Sequence, residues 1–320
     1  MIRHIAKRLL FTIPLVLAVT IVCFTLIQIA PGDPVTNFIT PRMSSEVIAS
    51  TRMKYGLDRP IYVQYFYWLR NILQGDFGYS LVTHESISKN LASRIPASAV
   101  LIVPAYFASI IVSLVLGLLS AFRRDKIADK AVDGFTSIAM SIPIFCLAFI
   151  VIYLFGYILK LFPIFGMYTI GKEGDFADFL RHLVLPCFVL MFAFLPEQTR
   201  YIRSSGIREM VQDYVIVQRS YGAGAFEILV KNVLRNVMLP VVTLLGLSLP
   251  LVVTGAFVTE NIFAWPGVGT YFVNAIKGSD YPVVMGVLLL SSTLVILGNL
   301  LSDILYGLVD PRIRLGRGRE

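Results

Sequence analysis

Residues 200–238 read Arg-Tyr-Ile-Arg-Ser-Ser-Gly-Ile-Arg-Glu-Met-Val-Gln-Asp-Tyr-Val-Ile-Val-Gln-Arg-Ser-Tyr-Gly-Ala-Gly-Ala-Phe-Glu-Ile-Leu-Val-Lys-Asn-Val-Leu-Arg-Asn-Val-Met. This polar stretch interrupts a chain otherwise made of long apolar runs. Asp213 to Tyr221 has few breakers and suits a short helix. Gly222-Ala-Gly224 ends it with two residues that tolerate positive φ. From Phe226 to Arg235 a second helix is expected, because Phe226, Leu229, Val230, Val233 and Leu234 recur at spacings of three and four. The pattern predicts a helix, a glycine elbow and a second helix, with Tyr221, Ala223 and Phe226 at the bend. An apolar knob on a rigid bend suits docking into a groove on a soluble partner. The same stretch, with Arg219, Lys231 and Arg235, would also suit a helix lying on anionic lipid. The residues alone leave both open.

Working outward, the 320 residues are 56% hydrophobic and 15% charged, with a mean hydropathy of +0.74. That composition excludes an ordinary soluble domain and indicates a polytopic membrane protein. The net charge of +8 would allow nucleic acid as a partner. The charges, however, sit between apolar runs, which is a membrane-topology pattern, and no nucleic-acid module is present.

Uncharged runs extend over Leu9–Gly32, Ile95–Phe122, Gly134–Leu159, His182–Pro196, Asn236–Thr259 and Tyr281–Ser302. A helix needs about 20 apolar residues to cross the hydrocarbon core. Five of the runs meet that length, and the short fourth continues through Glu197-Gln-Thr-Arg200 towards Ile202. Six spans are therefore expected in an all-α protein. Segments 1–8, 123–133, 200–235 and 309–320 together hold 17 Lys and Arg residues, against 4 in loops 160–181 and 260–280. The imbalance predicts cytoplasmic termini and a cytoplasmic 200–238 loop. Residues 1–32 read as an amino-terminal segment with a retained first span, 33–94 as an extracytoplasmic region with short helices, and 95–320 as a five-helix core.

Within the extracytoplasmic region, Ser44 to Tyr55 and the aromatic-rich Ile61 to Leu73 suit helices, the second in the membrane interface. Pro96–Phe122 reads as span two, and Arg123-Arg-Asp-Lys126 as a tight turn. Ser141-Ile-Pro-Ile-Phe145 places a proline inside span three, where it removes a backbone bond and bends the helix. Either a packing kink or a hinge beside a solute path would use it. Span five carries Pro240 and Pro250 with Ser248 close by. Residues 260–269 read as a turn before a short helix over Tyr271 to Ile276. Asp303 reads as an interfacial or paired group rather than a proton carrier.

Several chemistries lack support. There is no phosphate loop, no HExxH and no GxSxG. Cys23, Cys146 and Cys187 lie in spans without metal spacing and read as packing residues. His84 is a lone histidine. No charged residue falls near the middle of a predicted span, which argues against proton or voltage drive. A solute pump built on this chain would take its energy from elsewhere. Residues alone leave open a transport subunit, a passive channel or secondary transporter, and a membrane scaffold.

Further segments carry a specific resemblance. They are Ala30-Pro-Gly-Asp-Pro34, Tyr55-Gly-Leu-Asp58, Gln74-Gly-Asp-Phe-Gly78, Ser141-Ile-Pro143 and Gln212-Asp-Tyr214. Leu234-Arg-Asn236 with Leu239-Pro240, Phe263-Ala-Trp-Pro-Gly267, Asp280-Tyr-Pro-Val283 and Asp310-Pro-Arg-Ile313 complete the series. In order and spacing they resemble the permease subunits of bacterial ABC importers, in the oligopeptide, dipeptide and nickel branch, over nearly the whole chain. The resemblance implies a type I importer permease fold with six spans in the bacterial inner membrane. It implies no catalysis by this chain and no cofactor bound to it. The expected partners are a second homologous permease, two cytoplasmic ATPases carrying ATP and Mg, an extracytoplasmic solute-binding protein and the bilayer.

The resemblance also makes residues 213–240 the loop whose short helix fits a groove on an ATPase. Its contact positions would be Asp213, Tyr214, Arg219, Tyr221, Gly222, Ala223, Phe226 and Glu227. Its Glu-Ala-Ala stretch falls on Ile216-Val-Gln218, and a histidine frequent in the family is replaced by Asn232. Ser141, Pro143, Phe145, Ser248 and Pro250 are the expected gate or hinge. Peptides are the expected cargo, with nickel or metal chelates, sugars and glutathione as alternatives.

Overall fold

A computed structural model describes residues 2–29, 59–234, 236–238, 241 and 256–309. Helix α1 spans Ile2–Ile29, α2 Ile61–Leu73, α3 Ile87–Phe122 and α4 Ile127–Ser141. Helix α5 spans Ile144–Val151 and continues as π-helical turns to Ile158, and α6 spans Phe176–Met210. Then come α7 at Asp213–Ser220, and α8 at Ala225–Ile228 with a π-helical continuation to Val233. Finally α9 spans Phe257–Ile262, α10 Val268–Lys277 and α11 Tyr281–Val309. The described residues contain an isolated bridge between Tyr79 and Ser86 and no strand.

Helices α3 and α6 form the central pair. Each is started by a side-chain cap: Ser86 accepts from the Lys89 amide, and Asp175 accepts from those of Ala177 and Asp178. They approach closely because small residues meet large ones. A Cβ on Gly117 would lie 2.7 Å from Ile202, and one on Gly206 would lie 2.8 Å from Ala121. Between them runs a buried polar seam, in which the Ser109 hydroxyl donates to Gln198 at 2.8 Å and the Thr199 hydroxyl to the Leu195 carbonyl at 2.7 Å. Helix α1 packs along α11. It also meets α2, through a 2.8 Å hydrogen bond between the Thr20 and Tyr65 hydroxyls and an edge-on contact of Phe24 with Tyr65.

Three helices are long and apolar enough to cross a membrane, namely Ile87–Phe122, Phe176–Met210 and the Tyr281–Leu300 part of α11. The pair α4 and α5 raises the number to four among the described residues if it forms one broken span. Most of the expected span five (239–240 and 242–255) lies outside the described residues, and so do Ser248, Pro250, Pro240 and the Ser44–Tyr55 helix. The side chain of Asp303 is likewise undescribed.

Some elements differ from the sequence expectation. Span two belongs to a helix that begins at Ile87 rather than Pro96, because Ser86 caps it and proline is tolerated in a first or partnered turn. Helix α6, the expected span four, runs on to Met210, well past Ile202. Span three bends at its proline as expected, but more sharply than a kink: its two halves meet at 96° around Ile142-Pro143. The 123–126 turn forms as expected, with Asp125 at φ 64°. Cys23 is buried, Cys146 and Cys187 are half-buried, and all three are free thiols.

Candidate functional site

The elbow after α6 is built from the backbone upward. Helix α7 ends at Tyr221, where the Ala223 amide donates to the Gln218 carbonyl and the Gly222 amide to that of Arg219, both at 3.0 Å. These paired bonds need a left-handed residue between them, and Gly222 supplies it at φ 82°. Gly224, expected to share this role, does not adopt positive φ. The hairpin is pinned side to side by a 2.7 Å bond from the Asn232 amide to Gln218.

One face of the hairpin is anchored. Val215, Ile228, Val233 and Val237 are buried with Ile202 of α6 and Tyr106 and Ile110 of α3, and Tyr214 and Ala223 pack against that cluster. Ile228 was not on the face anticipated from periodicity, because the π-helical turns rotate the register by about one residue. Leu229 and Val233 do face inward, but Val230 does not. The opposite face holds apolar groups with no cover: Tyr221 is 88% exposed, Phe226 73% and Ile216 56%. Arg219 and Glu227 are exposed as well, and Glu227 pairs with Lys231 at 2.6 Å. Asp213 opens α7, where its charge favours the helix N-terminus.

A polar knot fixes the hairpin base. The Tyr214 hydroxyl donates to Glu209 at 2.8 Å, and the Asn236 amide donates to Glu209 at 2.9 Å and to the tyrosine oxygen at 3.2 Å. Burial, and then the hydrogen bond to Glu209, push the Tyr214 phenol up to about 12. A phenol whose folded value exceeds its unfolded value adds stability that is complete below pH 10 and lost as pH rises towards 12. Burial likewise pushes the Tyr271 phenol up to about 12, so titration of tyrosinate absorbance should show a late-ionising fraction that Tyr214→Phe reduces by one group and does not abolish.

At the same end of α3, α4 is tied to α6. Arg203 meets Asp129 through two bonds, Nε to Oδ1 at 2.6 Å and Nη2 to Oδ2 at 2.9 Å, and the Ser120 hydroxyl also donates to Asp129. Arg200 donates to Thr136 and Ser137 on α4. Arg200, expected in the continuation of span four, and Arg203, read from sequence as a loop charge, both join helices.

Of the expected gate residues, Pro143 stands at the 96° break. The Ser141 hydroxyl bonds back to the Ser137 carbonyl at 2.9 Å. Phe145 is half-exposed on α5. Ser248 and Pro250, the other two, lie outside the described residues.

The other end of α3 carries a site that sequence reasoning missed. Glu260 is fully buried on α9. Its carboxylate accepts from the Ser98 hydroxyl and the Gly269 amide at 2.7 Å, and from the Thr270 amide at 3.2 Å. The Trp265 indole, also fully buried, donates to the Ala97 carbonyl at 2.8 Å. The hairpin from α9 to α10 is thereby fastened to α3. Among the described residues no group of His, Cys, Asp and Glu could hold a metal, and His84 sits in a turn at φ 58°.

Residues 113–315 match the family model of the binding-protein-dependent transport system inner membrane component, and residues 1–102 match that of the N-terminal part of such membrane components. The chain belongs to this family. It is 39% identical over 314 residues to the oligopeptide transport system permease protein AppB of Bacillus subtilis, covering 98% of this chain and 99% of that protein. The di/tripeptide permease DppB of Pseudomonas aeruginosa is 36% identical over 333 residues, covering 98% of this chain and 99% of its own length. The glutathione permease GsiC of Salmonella typhi is 33% identical over 314 residues, with the same coverages. This protein is thus a multi-pass membrane permease subunit of the ABC transporter class. The two ends of α3 differ in structure, with an anchored elbow and its bare apolar tip towards one and a fastened hairpin at the other.

Proposed function

We propose that this permease forms half of the translocation path of an ATP-driven importer of small peptides, and that the 211–238 elbow is where an ATPase grips it. In this reading the chain crosses the membrane six times with both termini in the cytoplasm. It pairs with a second, homologous permease. Two cytoplasmic ATPases, which hold the ATP and Mg, sit beneath the pair, and an extracytoplasmic binding protein delivers the cargo.

The observation that carries the reading is the contrast between the two faces of the elbow. A buried base of Val215, Ile228 and Val233 holds a tip on which Tyr221 and Phe226 stand bare. A force applied at such a tip reaches α3 and α6 without bending the elbow itself. Asp213, Arg219 and Glu227 supply polar contacts around the rim of that surface. Peptide cargo is supported by three relatives whose names all specify peptides, glutathione being a tripeptide.

Phe226→Asp and Tyr221→Asp should each weaken co-purification with the ATPases about tenfold or more, since buried aromatic anchors dominate interface energy. Uptake into vesicles should fall in parallel, while the isolated permease keeps its thermal stability. Unchanged association together with full uptake would overturn the reading, as would peptide uptake that persists without any ATPase.

A further inference from the structure

The uncharged part of α3 runs from Ile95 to Phe122, between Arg94 and Arg123, which flank the membrane. Its midpoint lies near Ser109, about 21 Å from Arg123 at about 1.5 Å per residue. The Ser109 hydroxyl bonds the Gln198 side chain of α6 at 2.8 Å. This part of α6 therefore stands near the middle of the hydrocarbon layer, about 15 Å from either surface. Glu197 is the neighbouring residue. In sequence it only ended the short fourth run, but the pairing with α3 carries it inward to mid-depth.

Glu197 is exposed there. The buried residues beside it are turned to α3: Gln198 meets Ser109, Thr199 meets Ser113, and Ile202 closes on Gly117. Arg200, three residues on, is engaged on α4, where it donates to Thr136 and Ser137 and lies 3.9 Å from Asp133. Among the described residues Glu197 has no hydrogen-bonding or ionic partner. A carboxylate at that depth is too costly to leave against acyl chains, so it faces protein or water.

Its neighbours along the helix identify the side. Phe179, Leu190, Ala193, Glu197, Tyr201 and Ser204 recur at spacings of eleven, three and four, so they share one side of α6. Phe179 and Leu190 are buried with Trp265 of the fastened hairpin. Ala193, Glu197, Tyr201 and Ser204 are exposed. The side that is roofed at the hairpin end is thus open from mid-membrane towards the elbow, and it offers a carboxylate, a phenol and a hydroxyl there. Phe188 stands two and a half turns from Glu197, on the far side of the helix. It is exposed together with Leu180 and Val184, and all three are apolar, as a lipid-facing surface should be.

We propose that this side of α6 lines the solute path and that Glu197 receives the amino-terminal ammonium of the transported peptide. The ammonium is a cation that the carboxylate holds through a charge-assisted hydrogen bond. No lipid supplies one at this depth, since headgroup amines stay at the surface about 15 Å away and acyl chains carry no donor. Burial against a second permease would desolvate the carboxylate and demand a cation on that chain. A water-filled path keeps it hydrated between cargoes. The proposal rests on the importer reading above and deepens it, because it places recognition of the charged end of the cargo in the permease.

The test uses the complete reconstituted transporter in vesicles, with labelled tri-alanine and its amino-acetylated form delivered by the same binding protein. Glu197→Gln keeps the shape and removes the charge. It should lower kcat/KM for tri-alanine about tenfold, the scale of one charge-assisted hydrogen bond, and leave the acetylated peptide within twofold of the parent. Glu197→Asp should retain the preference for the free amine. During turnover a water-soluble carbodiimide should join tri-alanine to Glu197 as an amide, detected by mass spectrometry, and the acetylated peptide should give no such adduct.

Equal losses for the two peptides in Glu197→Gln would overturn the assignment, as would the absence of a tri-alanine adduct on Glu197. Equal losses together with separation of the two permeases on purification give the carboxylate to their interface instead. If the parent carries tri-alanine and not its acetylated form, the adduct decides. ATP-dependent tri-alanine uptake that survives in those cases leaves the importer reading intact. If the unaltered transporter moves neither peptide, both readings fall.

Discussion

Glu260→Ala should destabilise the permease by about 3–5 kcal/mol, because it strands several buried donors at once and each costs about 1–3 kcal/mol. The Ser98 hydroxyl and the Gly269 amide lose 2.7 Å partners, and the Thr270 amide loses one at 3.2 Å. The carboxylate fills its site closely, since a Cβ on Gly267 would lie only 2.3 Å from its Oε2 atom. The same crowding predicts that Gly269→Ala is nearly as damaging, with its new Cβ 2.5 Å from the Phe257 backbone. Glu260→Gln keeps one acceptor oxygen and should cost roughly half as much as the alanine variant.

The readout for Glu260 is thermal unfolding in detergent, together with emission from Trp265 in a Trp68→Phe background. Trp265 is fully buried, so release of the hairpin should shift its emission to the red. Burial raises the Glu260 carboxyl above its usual 4.5, and its hydrogen bonds, led by that of Ser98, only partly offset this. A carboxyl with a raised folded value makes folding less favourable as pH climbs from the unfolded value through the folded one. The unaltered protein should therefore lose stability across that window, and Glu260→Gln should lack that part of the slope. An alanine variant that melts with the parent and keeps its tryptophan emission would show that the hairpin is not held by this carboxylate.

The elements visible in sequence were those fixed by local rules. Run length revealed the long helices, and glycine chemistry placed the left-handed turn at Gly222 correctly. Pro143 was seen as a disturbance, but its 96° consequence was not, because the angle depends on what α5 packs against: Leu185, Val189 and Phe263. Ile228 was missed because π-helical turns shift the register, and periodicity assumes a regular helix. The polar fastenings were invisible for another reason. Glu260 and Ser98 are 162 positions apart, and Asp129 and Arg203 are 74 apart. Nothing in a charge count identifies such partners. Arg203 looked like a loop cation because charged residues usually mark the end of a span, whereas Arg200 was expected in the continuation of span four; α6 in fact continues to Met210 and both arginines face α4.

That pairing leads to the second large effect. Arg203→Ala should cost about 3–5 kcal/mol, the range for removing one member of a buried ion pair. Asp129 is 3% exposed and would keep only the Ser120 hydroxyl and the Asp125 amide, at 2.9 Å, for its charge. Arg203→Lys should fall between, since an ammonium cannot reproduce the two-pronged contact. Neutralising both members with Asp129→Asn and Arg203→Gln should recover more than half of the loss, because no uncompensated charge is then left inside. If the double variant is as unstable as the sum of the singles, the two groups act independently and the pair is not what joins these helices. A functional consequence follows from position. Ile202, next to Arg203, lies in the apolar floor on which Val215 and Ile228 of the elbow rest. Loosening α6 from α4 therefore slackens the floor under the proposed ATPase contact. Arg203→Ala transporters that still assemble should hydrolyse ATP with less peptide moved per ATP, and the double variant should restore that ratio along with the stability.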